Sequence, residues 1–228
     1  MSSLVFRTKV IEESNPGRLA QAATAIEVLL VFAGILLYIW RWQYQHPRAW
    51  LWLLAAVLLS HFIHHDRLAD LGFGLSQMRG SAEAILPLAV AIYLPVFIYS
   101  LVRGDLHIIL PNRVALNRFL GYGGWCAVQQ YLVQSYFHRR FMQVIRTPHL
   151  SAALVAVMFG ACHIPNTILM AVTTLGGYIL AEVYARHRNI WPLALAQAVG
   201  GILVATLAPP ALIHNMRVGP GYYLRIHR

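Results

Sequence analysis

Three glutamines, Gln129, Gln130 and Gln134, stand in the stretch QQYLVQSYFHRR, which continues an apolar segment. An amide inside lipid is costly unless it is hydrogen-bonded, so such residues mark either a functional site or a contact between helices. Gln130 and Gln134 are four residues apart and share a helix face, with Gln129 about 100° round the axis. Two chemistries fit this spacing: amides that bond one helix to another, or a polar pocket that holds a substrate amide or a water. FGACHIPN sets Phe159 and His163 at i, i+4, with His163 ending an apolar run just before Pro165 and Asn166. A histidine there serves as a hydrogen-bonded core residue, a metal ligand or a general base. In WPLALAQAVGG, Gln197 lies within an apolar run and precedes Gly200 and Gly201, small residues that let helices approach closely.

A second cluster, HFIHHD, brings His61, His64 and His65 within one helical turn. The HxxHH spacing is like one histidine box of membrane di-iron desaturases and hydroxylases. That chemistry needs several boxes to fill its ligand set, and the remaining histidines are isolated. The plainer reading is an interfacial cluster near lipid headgroups. Cys126 and Cys162 both fall in apolar stretches, where a thiol is inert, and they form no CxxC pair.

These residues need helices to position them. The chain has 228 residues, 58% hydrophobic and 11% charged, where a soluble domain carries about 25% charged residues. Its mean hydropathy is +0.57. The composition describes a membrane protein. Seven apolar segments are predicted as spans: 19–40, 49–63, 84–102, 119–137, 150–164, 167–186 and 190–208, the third with Pro87 and Pro95 as kink sites. Segment 104–118 is amphipathic and suits the interface. The tail, 209–228, is too polar to span, and its glycines and proline suit a turn back over the bundle, with His214 placed to cap a cavity. The first 18 residues lack an apolar run, so no cleavable leader is expected. The expected fold is all-α, a polytopic membrane helical bundle of about seven spans, in a single domain over 1–228. A net charge of +10 is spread over the loops, where arginines anchor helices at headgroups, so no nucleic-acid partner is expected. The distribution of Lys and Arg favours a cytoplasmic N-terminus.

In this order the motifs resemble those of the CPBP family of intramembrane proteases, the CAAX prenyl endopeptidase and abortive-infection group. That family carries EExxxR on one helix, FxxxH on the next and HxxxN on a later one. Its glutamate and histidines converge in a cavity within the membrane and activate a water for peptide hydrolysis, whether through a metal or through the glutamate. Here Gln129, Gln130 and Gln134 fill the EExxxR slot. Phe159 and His163 keep FxxxH, followed by Pro165 and Asn166. Gln197 takes the later histidine slot and Gly201 the asparagine slot. LGFGLSQ, 71–77, resembles the segment before the family's core helices. The likeness runs over about 119–208.

The resemblance implies a cavity lined by Gln129, Gln130, Gln134, His163 and Gln197 at the catalytic slots, with Phe159 and Asn166 beside them. Glutamine keeps the shape of glutamate but takes no proton from water at a useful pH. Gln197 neither binds metal as imidazole does nor shuttles a proton. One histidine does not make a catalytic zinc site, which uses three protein ligands, so no metal and no cofactor is expected. No other carboxylate is well placed. Glu27 lies in the first span, and Glu182, the best candidate to enter the core, is four residues from Arg186. Three functions are compared: a CPBP-type endopeptidase acting on membrane-anchored peptides; a non-catalytic relative binding a lipid or peptide in the same cavity; and a histidine-ligated metal oxidoreductase. The chemistry favours the second. The expected setting is the lipid bilayer of a bacterial inner membrane.

Overall fold

The computed structural model describes residues 17–103, 113–207 and 213–223. The N-terminal residues 1–16 and most of the expected interfacial segment, 104–112, lie outside the described residues. Among those described there is no strand, and seven long helical runs match the seven predicted segments one for one.

Helix α1 is Arg18–Leu37 and runs on through a π-helical turn, Tyr38–Trp42. A 3-10 turn opening on Pro47 leads into α2, Trp50–Ile63. Helix α3, Met78–Arg103, continues through both Pro87 and Pro95. Helix α4 begins as Arg113–Gln130, becomes π-helical over Tyr131–His138 and resumes as Arg139–Ile145. Arg146, in the left-handed region, ends it. Helix α5, Pro148–Ala161, starts with proline in the first turn, where the missing N–H has no helical partner to lose. Helix α6, Thr167–Arg186, is capped by Asn166, whose side chain accepts from the Leu169 N–H at 3.2 Å. Helix α7 is Trp191–Leu207.

Among the described residues three runs are long and apolar enough to cross a membrane: Arg18–Gln45, Met78–Arg103 and Thr167–Arg186. Pro47–Ile63, Pro148–Ala161 and Trp191–Leu207 are apolar but shorter. Their outer faces carry large exposed apolar side chains, among them Leu86, Val90, Leu94 and Phe97 on α3. Such faces are stable against lipid, where the helix satisfies its own backbone. The molecule is an all-α membrane helical bundle and an integral membrane protein.

Helices α5 and α6 form an antiparallel pair, and α7 packs on α3 and α4. One core cluster joins Val28, Val57, Val133, Tyr136, Val155, Phe159 and Ala181 from α1, α2, α4, α5 and α6. A second joins Ile85, Leu180, Tyr184, Ile190 and Leu193. The LGFGLSQ loop is tied to the α6–α7 turn: the Ile190 N–H donates to the Gly72 carbonyl at 3.1 Å and the Asn189 amide to that of Gly74 at 2.5 Å. Gly72 has φ +82°, a conformation open to glycine. The tail turns back over the bundle, its Gly219 N–H donating to Ile164 at 2.8 Å.

Candidate functional site

Four glutamines and one histidine form a single chain of hydrogen bonds across α4 and α7. The His138 Nδ1–H donates to Gln134 Oε1 at 3.1 Å. Gln134 Nε2 donates to Gln130 Oε1 at 3.2 Å, and Gln130 Nε2 to Gln197 Oε1 at 2.6 Å. Gln197 Nε2 donates to Gln129 Oε1 at 2.6 Å. Residues 130, 134 and 138 share the buried face of α4, and Gln197 crosses from α7. Every link points the same way, from His138 to Gln129.

Gln129 and Gln197 stand at the wall of a cavity of about 890 Å³ between the helices. Phe159 and His163 also stand in that wall. His163 is oriented from behind: its Nδ1–H donates to the Phe159 carbonyl at 2.8 Å and lies 3.3 Å from Thr173 Oγ1. The tautomer is thereby set with Nδ1 protonated, which makes Nε2 the acceptor. Gly200 and Gly201 border the same space, and the Tyr93 and Tyr122 side chains occupy the positions that a Cβ at either glycine would need.

Three expected residues take other places. Gln130 and Gln134 are fully buried and lie behind the cavity wall, linking α4 to α7 rather than facing a ligand. Asn166 is also fully buried. Besides capping α6, its amide donates to the carbonyls of Ile213 at 2.7 Å and Arg217 at 3.2 Å, anchoring the tail. Both amide hydrogens are committed, and Asn166 does not stand in the cavity wall. His214 stacks on Tyr222 with ring centroids 3.9 Å apart, and Met216 and Val218 are the tail residues that reach the cavity.

The HFIHHD cluster is part of an ionic network. His61 Nδ1 is 2.8 Å from Asp66, and His64 Nε2 is 3.0 Å from Glu27. Two histidines read as neighbours on one face therefore turn to different carboxylates. Glu27 also accepts from Ser60 at 2.5 Å and from Tyr136 at 2.9 Å. Arg139 and Arg140, from the resumed end of α4, reach Asp66 at 2.7 and 2.6 Å. Among the described residues no group of three or more His, Cys, Asp or Glu is arranged to hold a metal. In the cavity wall the histidine and the cysteine are His163 and Cys162, and among the described residues no carboxylate stands beside them, short of the three protein ligands of a catalytic zinc. The residues present do not fit such an ion.

No charged side chain lines the cavity among the described residues. The described acids are engaged elsewhere: Glu27 and Asp66 in the network above, Asp70 near Arg139 at 4.0 Å, Glu83 with Arg79 at 2.7 Å, and Glu182 with His149 at 2.6 Å. Glu182, the sequence's best candidate to enter the core, is thus held at the helix end.

The sequence reading placed Glu27 in the first span without a partner and missed Tyr136, His138, Arg139 and Arg140. Two signals were present. Glu27 is a lone acid in an apolar span, a reason to seek a cationic partner. His138 continues the four-residue spacing of Gln130 and Gln134.

Over residues 124–203, the segment from α4 through α7 that carries these motifs, the chain matches the family model described as type II CAAX prenyl endopeptidase, Rce1-like. Over that segment the chain is similar to CAAX-type endopeptidases, and the molecule is an integral membrane protein. No curated protein and no solved structure matches it.

Proposed function

We propose that the chain is a non-catalytic relative of the CAAX-type endopeptidases, seated through seven crossings in a bacterial inner membrane, that binds a lipid or peptide in its cavity without cutting it. One observation carries this reading: the amides at the motif's slots are hydrogen-bonded to one another in a chain. Gln130 gives its amide hydrogen to Gln197 and accepts from Gln134. Neither amide group takes a proton, so no base stands at these slots to activate water. A largely apolar pocket with a few uncharged polar side chains binds uncharged polar groups without ionising.

The endopeptidase reading is the alternative, and His163 supports it. Its Nδ1–H is oriented by Phe159 and its ring borders the cavity, which suits a general base. The test is incubation of detergent-purified protein with prenylated CAAX peptides, beside His163→Ala, with mass spectra of products and of copurifying molecules. The expected result is intact peptide and a retained ligand. Cleavage that His163→Ala abolishes would overturn the proposal and install His163 as the base.

A further inference from the structure

We infer that the cavity's occupant is a neutral acyl lipid whose ester carbonyl accepts a hydrogen bond from the Gln129 amide; this rests on the binding reading above and narrows it.

The inference starts from the direction of the amide chain. His138, Gln134, Gln130 and Gln197 each donate toward the next member, and Gln129 receives the last bond on its carbonyl oxygen. The chain therefore ends on the Gln129 NH2 group, which donates to no described residue. Aligned hydrogen bonds polarise one another, so this terminal N–H is a stronger donor than an isolated amide. It stands at the wall of the cavity and calls for an acceptor. Another fixed polar group there, His163, presents the opposite character, an Nε2 lone pair behind a committed Nδ1–H.

The rest of the wall sets the ligand's charge and bulk. Val31, Phe32, Leu53, Ile92, Leu132 and Ile179 supply apolar surface from five helices. No arginine or lysine lines the cavity among the described residues, so a carboxylate or phosphate would enter without a counter-charge. A peptide ending in a free carboxylate fits this poorly. A diacylglycerol-type molecule fits it: acyl chains for the apolar wall, a carbonyl for Gln129 and a hydroxyl for His163.

Trp50 and Trp125 stand in the cavity wall, so a brominated acyl chain bound there quenches their fluorescence. Detergent-purified full-length protein is titrated with brominated diacylglycerol, with the dialkyl ether analogue that lacks the carbonyls, and with brominated phosphatidic acid. The ester should saturate quenching at roughly tenfold lower concentration than the ether, the cost of leaving one buried donor unpaired, and lower than the phosphatidic acid. Gln129→Leu should erase the ester-over-ether preference. So should Gln129→Glu, which keeps the shape and replaces the donor, and which serves if the leucine variant does not fold. Equal binding of ester and ether to the wild type, or a preference that survives both variants, overturns the carbonyl assignment and leaves lipid binding standing. A prenylated peptide that displaces the ester at lower concentration overturns the choice of lipid. Absence of saturable quenching with every probe removes the lipid-binding reading itself.

Discussion

Arg140 and Asp66 meet 2.6 Å apart with both side chains fully shielded from solvent, joining the resumed end of α4 to the loop after α2. The guanidinium also donates to Ser60 Oγ, at 3.1 Å from Nε and 2.9 Å from Nη2. His61 and Arg139 complete the shell around the carboxylate, at 2.8 and 2.7 Å. This is where the N-terminal helices are fastened to the helix that carries the glutamines.

Breaking this pair leaves an uncompensated buried charge. Arg140→Met is expected to lower the stability of the detergent-solubilised protein by about 3–5 kcal/mol. The double variant Arg140→Met with Asp66→Leu should recover part of that loss, because both charges are then gone. Reversible unfolding of the two variants in mixed micelles measures the difference. Additive losses would show that the two residues act independently.

The same carboxyl gives a pH dependence. Burial alone would raise the Asp66 pKa, but hydrogen bonds from His61 and Arg140 and the charges of Arg139 and Arg140 outweigh it and hold it well below the usual carboxylate range. The folded value lies below the unfolded one. The stabilisation is therefore complete above the unfolded value, about 3.9, and is lost progressively as the pH falls below it. The melting temperature should drop as buffer is taken from pH 6 to pH 3, and Asp66→Asn should flatten that slope. An unchanged slope in the variant would assign the acid sensitivity to another group.

Gln130 is the middle link of the amide chain. Gln130→Leu strands Gln134 Nε2 and Gln197 Oε1, at a cost of about 1–3 kcal/mol for each group left buried and unpaired. Gln130→Glu restores the family's residue type but sets a carboxylate oxygen where an N–H now donates to Gln197 at 2.6 Å. That variant is expected to lose stability at neutral pH, regain it in mild acid as the new carboxyl protonates, and remain without peptide cleavage. Unfolding curves at two pH values, with the CAAX-peptide assay run alongside, check all three outcomes.

Much of this architecture was legible in the chain. Apolar runs bounded by Gly17, Pro47, Pro148 and Asn166 are local signals, and each opens a helix near the expected place. Hydropathy also placed the glutamines inside the bundle. What the sequence does not hold is which distant residue answers which. Glu27 and Tyr136 are 109 positions apart, and their bond exists only because α1 lies along α4. Asn166 illustrates the same limit from the other side: its place after FxxxH looks functional, whereas its partners are tail carbonyls that no spacing rule points to. The histidines of HFIHHD share a turn in sequence, yet pairing with carboxylates on separate elements divides them.

The π-helical stretch Tyr131–His138 sets an angular phase. In an α-helix every fourth residue overshoots a full turn by about 40°, so a ladder at positions 130, 134 and 138 would spiral off its line. A wider turn takes up that overshoot. Two separate alignments are then satisfied along one helix: the amides stay aimed at Gln197, and Arg140, further on, arrives opposite Asp66. Removing one residue between them would shift the phase by about 100°. The glutamines and the arginines could then no longer both face their partners, and the helix would have to choose between its amide chain and its anchor.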